Sequence, residues 1–337
     1  MDQRIGKQTV KFENPVSILE TASIGGKKEG EGPLKAYFDQ VLKDDYWGED
    51  SWEKAEIKLQ REVANMALAK AKLTAQDISY VFAGDLMNQC VSSHYAMREL
   101  GIPFFGLYGA CSTMVESMTL GAMLIGGGFS EKSMCLTSSH FCSAEKQFRF
   151  PLEYGGQRTP SAQWTVTGAG CAILTGDGSG PFITHATTGK IVDMGISDLN
   201  NMGGAMAPAA VDTLTAHFED TGFSPSDYDL ILTGDLGVIG SDILTDLMNQ
   251  KGYNIYPNHN DCGKMIFDIK EQDVHAGGSG CGCCGSVFCG NIYKELKKGT
   301  YKRILVMATG ALMNTITIQQ GESIPAIAHA LAITTEL

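Results

Sequence analysis

The chain has 337 residues, 43% of them hydrophobic, and a net charge of −12 from 26 basic and 38 acidic side chains. That length suits two domains or two fused halves, while the acidic balance excludes the basic stripe of a nucleic-acid binder and argues against attraction to an anionic membrane surface. The 40 glycines cluster in short motifs without a collagen period, and the 10 cysteines fall in core-like segments, which points to tight turns and a reducing compartment.

The first residues lack the apolar core of a signal peptide, and no run approaches the roughly 18 apolar residues of a spanning helix. The expectation is a soluble chain whose membrane role, if any, is peripheral. Short strands are expected at 10–12 and 16–19, followed by a Gly/Lys-rich loop at 25–33. Asp50 and Glu53 have capping-box spacing before a helix to about 73, with Trp52, Ala55, Leu59, Val63, Met66 and Ala67 on one face. A strand at 78–83 ends in Gly84-Asp85, and a helix at 91–100 is stopped by Gly101 and Pro103.

Residues 104–139 form the organising stretch: strand, turn at Gly109-Ala110, helix opening at Cys111, stop at Gly126-Gly127-Gly128, then a strand at 134–137. Two readings of Cys111 stay open. A helix N-terminus favours a thiolate, whereas most unpaired cysteines are small buried hydrophobes, and this stretch contains no base to activate a thiol. Beyond Ala144 the sequence AEKQFRFPLEYGGQRTP reads as a long excursion, of the kind that is functional or makes a dimer contact. A strand at 165–174 and a turn at 176–178 close the first half.

The second half repeats the first. Residues 77–85, ending in Gly-Asp, are echoed by 227–235, also ending in Gly-Asp, and each is preceded by a helix and followed by another. The turn 277–285 opens a helix stopped by Gly299, which leads through Lys302-Arg303 into a strand at 304–310, as Glu131-Lys132 lead into 134–138. Two alignable strand-helix halves make a duplicated α/β unit. Cys281 and Cys284 have C-x-x-C spacing, but zinc would need Cys262 with His259 or His275, and close packing of two central helices is the favoured reading. His94 and His217 lie on helices and read as surface or core residues. His140, just past a strand end, is the better pocket candidate.

A duplicated α/β chain with Cys at a strand-to-helix corner resembles the thiolase superfamily. The segments GKQTVKFENPVSI, EKQFRFPLEYGGQ, MGGAMAPAAVDT, NHNDCG, HAGGSGCGCCGSV and QQGESIPAIAH, spread in order over essentially the whole chain, resemble more narrowly the stage V sporulation protein AD family of spore-forming bacteria. The resemblance implies a thiolase-like α/β fold of two duplicated halves, 1–180 and 181–337, layered α-β-α-β-α around two mixed sheets, and a homodimer paired through the first half. It also implies binding of dipicolinic acid (pyridine-2,6-dicarboxylate) for uptake into the developing spore. The implied partners are the other SpoVA membrane proteins, and the implied location is the forespore or spore, soluble or peripheral to the inner membrane.

Within that resemblance, Cys111 falls where the superfamily places its nucleophile, and His259 roughly where decarboxylating ketoacyl synthases keep a histidine. The turn that would supply a catalytic Asn reads Gly278-Ser279-Gly280, the Gly-His-Pro motif is absent, and Ala308-Thr309-Gly310-Ala311 replaces the terminal Cys-Gly-Gly loop. An incomplete set points to non-catalytic binding. The alternatives are a condensing enzyme using Cys111 and His259, and a scaffold with a vestigial pocket. Candidate anion contacts are the turns at Cys111-Ser112 and Cys281-Gly282, with Ser279, His140 and His259 near them and Arg149 or Lys264 as cations. Phe148, Phe150 or Tyr154 could cover the ring. No resident cofactor is expected, but calcium carried with the ligand could meet Asp85, Asp235 or Asp261.

Overall fold

The strands expected at 10–12 and 16–19 are parts of one strand, β1 (Thr9–Gly25), in the computed structural model, which describes residues 3–148 and 158–337. Its pairing register slips between Lys11 and Val16, where Pro15 has no N–H to give a ladder. β2 (Gln40–Val41) is a short parallel addition to β1. The first repeat continues with α1 (Trp52–Ala71), β3 (Tyr80–Gly84), α2 (Val91–Leu100), β4 (Phe104–Gly106), α3 (Thr113–Gly126), β5 (Lys132–Ser139), α4 (Phe141–Phe148), β6 (Trp164–Thr165) and β7 (Gly168–Thr175). The second runs β8 (Phe182–Thr187), α5 (Met202–Thr221), β9 (Leu230–Thr233), α6 (Gly237–Gln250), β10 (His259–Asp261), α7 (Cys262–Met265), β11 (Gly278–Ser279) and α8 (Cys281–Val287). A π turn at Phe288–Ile292 carries α8 into α9 (Tyr293–Lys298), before β12 (Arg303–Ala311), α10 (Thr315–Gln319) and β13 (Ala326–Thr334).

Local chemistry explains the element ends. Ser51, not Asp50, caps α1, accepting from the Lys54 N–H at 3.3 Å, while Asp50 pairs with the Lys54 ammonium at 2.8 Å. Gly101 (φ +66°) and Gly299 (φ +79°) end α2 and α9 in the left-handed region that a Cβ disfavours. Thr74 with Asp77, and Ser224 with Asp227, make matching capping boxes ahead of β3 and β9.

The duplication is exact in strand order. From the join outward, the first repeat runs β1-β7-β5-β3-β4 and the second β8-β13-β12-β9-β10. In the first, β3 pairs parallel with β4 and β5 while β7 is antiparallel to β1 and β5, and in the second, β9 pairs parallel with β10 and β12 while β13 is antiparallel to β8 and β12. The two mixed sheets expected from the resemblance are hydrogen-bonded into one, because β1 pairs with β8 over its first part and with β7 over its second. A strand that changes partner in this way turns the corner between two packed sheets.

Five layers result. α1 and α2 cover one outer face, with Leu59, Val63, Ala67 and Met97 packed on Val81, Met134 and Ile173. α5 and α6 cover the other, with Met206, Leu214 and Leu244 on Ile231, Leu305 and Ala330. Between the sheets, α3 and α8 share the central core, where Met114, Met118, Cys283, Cys284 and Phe288 are buried together. This layer is tight. A Cβ on Gly170 of β7 would lie 2.0 Å from the Gly285 carbonyl oxygen of α8, and one on Gly285 would lie 2.7 Å from Thr137 Oγ1. The Gly/Cys-rich turn therefore supplies small side chains for close backbone approach.

Gly170→Ala tests that packing. Overpacking against backbone costs about 1–3 kcal/mol, so the unfolding free energy from a urea titration should fall by that amount, whereas an exposed Gly252→Ala control loses stability only through its φ of +88°.

Candidate functional site

Cys111 sits in a 3-10 turn, Ala110–Ser112, that precedes α3, and not on the first turn of the α-helix itself. Ala110 is held at φ +49°, a conformation that costs an L-residue about 1–2 kcal/mol. The turn is locked by its own hydroxyls: Ser112 Oγ donates to Gly109 O at 2.7 Å and Thr113 Oγ1 to Ala110 O at 2.6 Å. The second half presses on it from β12, where a Cβ on Gly310 would lie 2.2 Å from the Gly109 carbonyl oxygen. Ser112 is thus committed to the turn.

The acid whose charge acts most strongly on the Cys111 thiol is Asp235, just past β9 of the other half. Asp235 accepts from Gly280 N–H at 3.0 Å and Thr309 Oγ1 at 2.8 Å. Cys111 and Asp235 are both buried. Burial, then the charge of Asp235, pushes the thiol well above 9.0, which favours the buried-hydrophobe reading of Cys111 over the thiolate reading. Burial likewise pushes Asp235 up from 3.8 to about 7. A carboxylate beside sulfur resists a second negative charge, so this pair keeps Cys111 as S–H.

The pseudo-symmetric partner behaves alike. Cys281 donates to Ser138 O at 2.8 Å, and its thiol is raised by burial and then by the charge of Asp85 in the first half. Asp85 accepts from Met87 N–H at 2.8 Å, Ser93 N–H at 2.8 Å and Ser93 Oγ at 2.6 Å. The charge acting most strongly on each cysteine corner thus comes from the Gly-Asp of the other repeat. In the sequence Asp235 is legible as the end of a repeated strand and as a candidate calcium contact, but not as the acid acting on Cys111.

His259 is not among the groups facing Cys111. Its Nε2 lies 3.0 Å from Thr233 Oγ1, and it opens with Lys264 and Tyr256 into a separate cavity on the second half. Burial and then Lys264 depress its imidazole to about 4. The Cys111–His259 pair of a condensing enzyme is therefore not assembled. Asp261 is spent on structure, accepting from Thr233 Oγ1 at 2.6 Å, Leu236 N–H at 2.8 Å and Gly237 N–H at 2.9 Å. With Asp85 and Asp235 likewise turned to N–H and O–H donors, these three acids form no oxygen cage for calcium. His140 is buried with Nε2 at 2.8 Å from Asp45 O, and its Nδ1 has no hydrogen-bond partner among the described residues. Arg149, Phe150 and Tyr154 lie outside the described residues.

Cys111 and Ser279, two of the expected residues, do come together. They line a void of about 40 Å³ with Glu145, Thr165, Met202 and Met313. Phe148, expected as a ring cover, also stands in its wall. Glu145 is buried and accepts from Thr165 Oγ1 at 3.2 Å. These apolar and acidic wall residues were not foreseen, since α4, β6, α5 and the segment after β12 converge only in the folded chain.

Comparison with known proteins agrees with this architecture. The family profile described as Stage V sporulation protein AD (SpoVAD) matches residues 6–334. Stage V sporulation protein AD of Bacillus subtilis is 45% identical over 326 residues, covering 97% of this chain and 96% of that protein. Among solved structures, 3-oxoacyl-[acyl-carrier-protein] synthase III of Aquifex aeolicus superposes with a TM-score of 0.57 at 12% identity, covering 95% of this chain and 99% of that one. A variant of OleA from Xanthomonas campestris superposes with a TM-score of 0.63 at 12% identity, covering 96% and 99%. At such identities the likeness concerns the fold, which is thiolase-like.

The raised Asp235 carboxyl has a sign that can be measured. Its folded value lies above its unfolded one, so its contribution to stability is complete below about 3.8 and is lost as pH rises through about 7. Denaturation at pH values spanning that window should show wild-type stability falling with pH, and Asp235→Asn should flatten the slope.

Proposed function

Because the chain belongs to the stage V sporulation protein AD family, we propose that it is a non-catalytic binding protein for dipicolinate, free or as its calcium chelate. It passes this ligand to the SpoVA membrane proteins for uptake into the developing spore. The observation that carries the non-catalytic reading is a buried Cys111 whose thiol is acted on by the buried acid Asp235, while His259 opens into a separate cavity. Acyl transfer needs a thiolate, and a thiolate here would stand against a carboxylate with no imidazole among the facing groups.

Dipicolinate suits recognition without chemistry. Its two carboxylates flank a ring nitrogen, so it can be held by charge-assisted hydrogen bonds at its ends and by apolar contact on its faces. Calcium would travel with the ligand, lowering its charge against a protein of net charge −12. Among the described residues, no helix is long and apolar enough to cross a membrane, so delivery requires docking on membrane partners at the spore inner membrane. β4 forms one edge of the sheet, and its Phe105 is 49% exposed. An open edge with an exposed aromatic suits strand pairing with a second copy, which makes a homodimer through the first half the expected assembly.

Calorimetric titration with dipicolinate, with and without calcium, tests the binding reading. Saturable heat should appear for wild type and persist in Cys111→Ala. Incubation with an acyl-CoA should leave the intact mass unchanged. An adduct that disappears in Cys111→Ala would establish acyl chemistry instead. Phe105→Asp should shift the protein toward a monomer in light scattering, whereas an unchanged mass would place the dimer contact elsewhere or exclude it.

A further inference from the structure

The void beside Cys111, at about 40 Å³, has room for a few waters, since one water needs roughly 10–15 Å³ and small-molecule pockets run to about 300–1,000 Å³. A cavity of about 260 Å³ lies elsewhere, between the loop after β1 and the start of α4, lined by Lys27, Lys28, Asp45, Phe141, Cys142 and Trp164. Its chemistry is of the opposite kind. Trp164 stacks on Phe141 at 3.9 Å between centroids and 8° between planes. The Lys28 ammonium lies 4.2 Å from the Trp164 centroid and the Arg158 guanidinium 4.6 Å from it. Phe141 covers one face of the indole, which leaves the other to the two cations.

The charge balance there favours an anion. Arg158 is tied to the Asp273 backbone carbonyl and lies 4.0 Å from its carboxylate. Lys28 makes no ion pair among the described residues, and the charge that acts on it most strongly is that of Arg158, ahead of the acids Asp273, Glu29 and Glu31. The neighbouring acid, Glu29, is buried with its carboxyl raised to about 8, accepting from Thr167 N–H at 2.9 Å. It is therefore mostly uncharged at neutral pH, and Asp45 is the one other acid in the lining. Two cations confined on one aromatic face repel each other, and an anion between them relieves that repulsion.

We infer that this cavity seats a planar aromatic carboxylate. One carboxylate accepts from the Lys28 ammonium, and the ring lies along the edges of Phe141 and Trp164. The inference rests on the dipicolinate reading for the identity of the natural ligand, and it places the free dianion here and not against Cys111.

The test uses the full chain and two probes, dipicolinate and isophthalate, the benzene analogue that keeps both carboxylates but lacks the ring nitrogen. Binding is followed by calorimetry and by tryptophan fluorescence in wild type, Lys28→Gln and Lys28→Arg, with melting temperatures to establish that each variant is folded. Loss of one charge-assisted hydrogen bond should weaken binding about tenfold or more in Lys28→Gln, with Lys28→Arg close to wild type. Dipicolinate binding unchanged in Lys28→Gln would overturn this site and leave the carrier reading standing. Binding of isophthalate alone, dependent on Lys28, would support the site and remove the dipicolinate reading. Binding of neither probe would overturn the site.

Discussion

A buried thiol held under the charge of a buried carboxyl from the other repeat is the constraint on which the centre of this molecule depends. Cys111 comes from the first half and Asp235 from the second, and Asp235 is fixed in turn by Gly280 N–H and Thr309 Oγ1. The reciprocal corner places Cys281 under the influence of Asp85. Such crossed pairing is possible only because the central helices and strands approach closely, which is why glycine stands at 170, 282, 285 and 310, where a Cβ would meet backbone or Ser139 and Thr137 side chains. Packing at the pseudo-symmetry axis and electrostatics at the site are therefore one constraint.

That constraint decides what the corner can do. A reactive cysteine needs a nearby positive charge or an unscreened helix N-terminus to lower its pKa. Here the charge acting most strongly on the thiol is an acid's, the turn's hydroxyls are consumed internally, and the imidazole of His259 faces a different cavity. The fold is shared with condensing enzymes at about 12% identity, but function resides in sites and not in folds. On this thiolase-like scaffold the corner cysteine is kept protonated, and the void beside it is small.

Much of the architecture was legible in the sequence because its signals are local. The repeated Gly-Asp strand ends at 84–85 and 234–235 revealed the duplication, and Gly101 and Gly299 marked helix ends that adopt positive φ. What escaped depends on contacts between distant segments. The strands at 10–12 and 16–19 read as separate because the Glu13-Asn14-Pro15 interruption hides a bulge inside β1, and nothing local shows that β1 exchanges β8 for β7. Cys111 read as a helix N-terminus, but its surroundings are set by β9, β12 and the turn before α8. The cation-aromatic cavity joins Lys28, Phe141 and Trp164, which no spacing rule brings together.

The protonation state of Cys111 is the most direct test of this account. Thiolate absorbance in the ultraviolet, taken as the difference between wild type and Cys111→Ala from about pH 5 to about pH 9, isolates that one sulfur among the others. The account predicts no thiolate difference signal across this range, because burial and Asp235 hold the thiol well above 9.0. A difference signal already complete near neutral pH would show an activated nucleophile and contradict it.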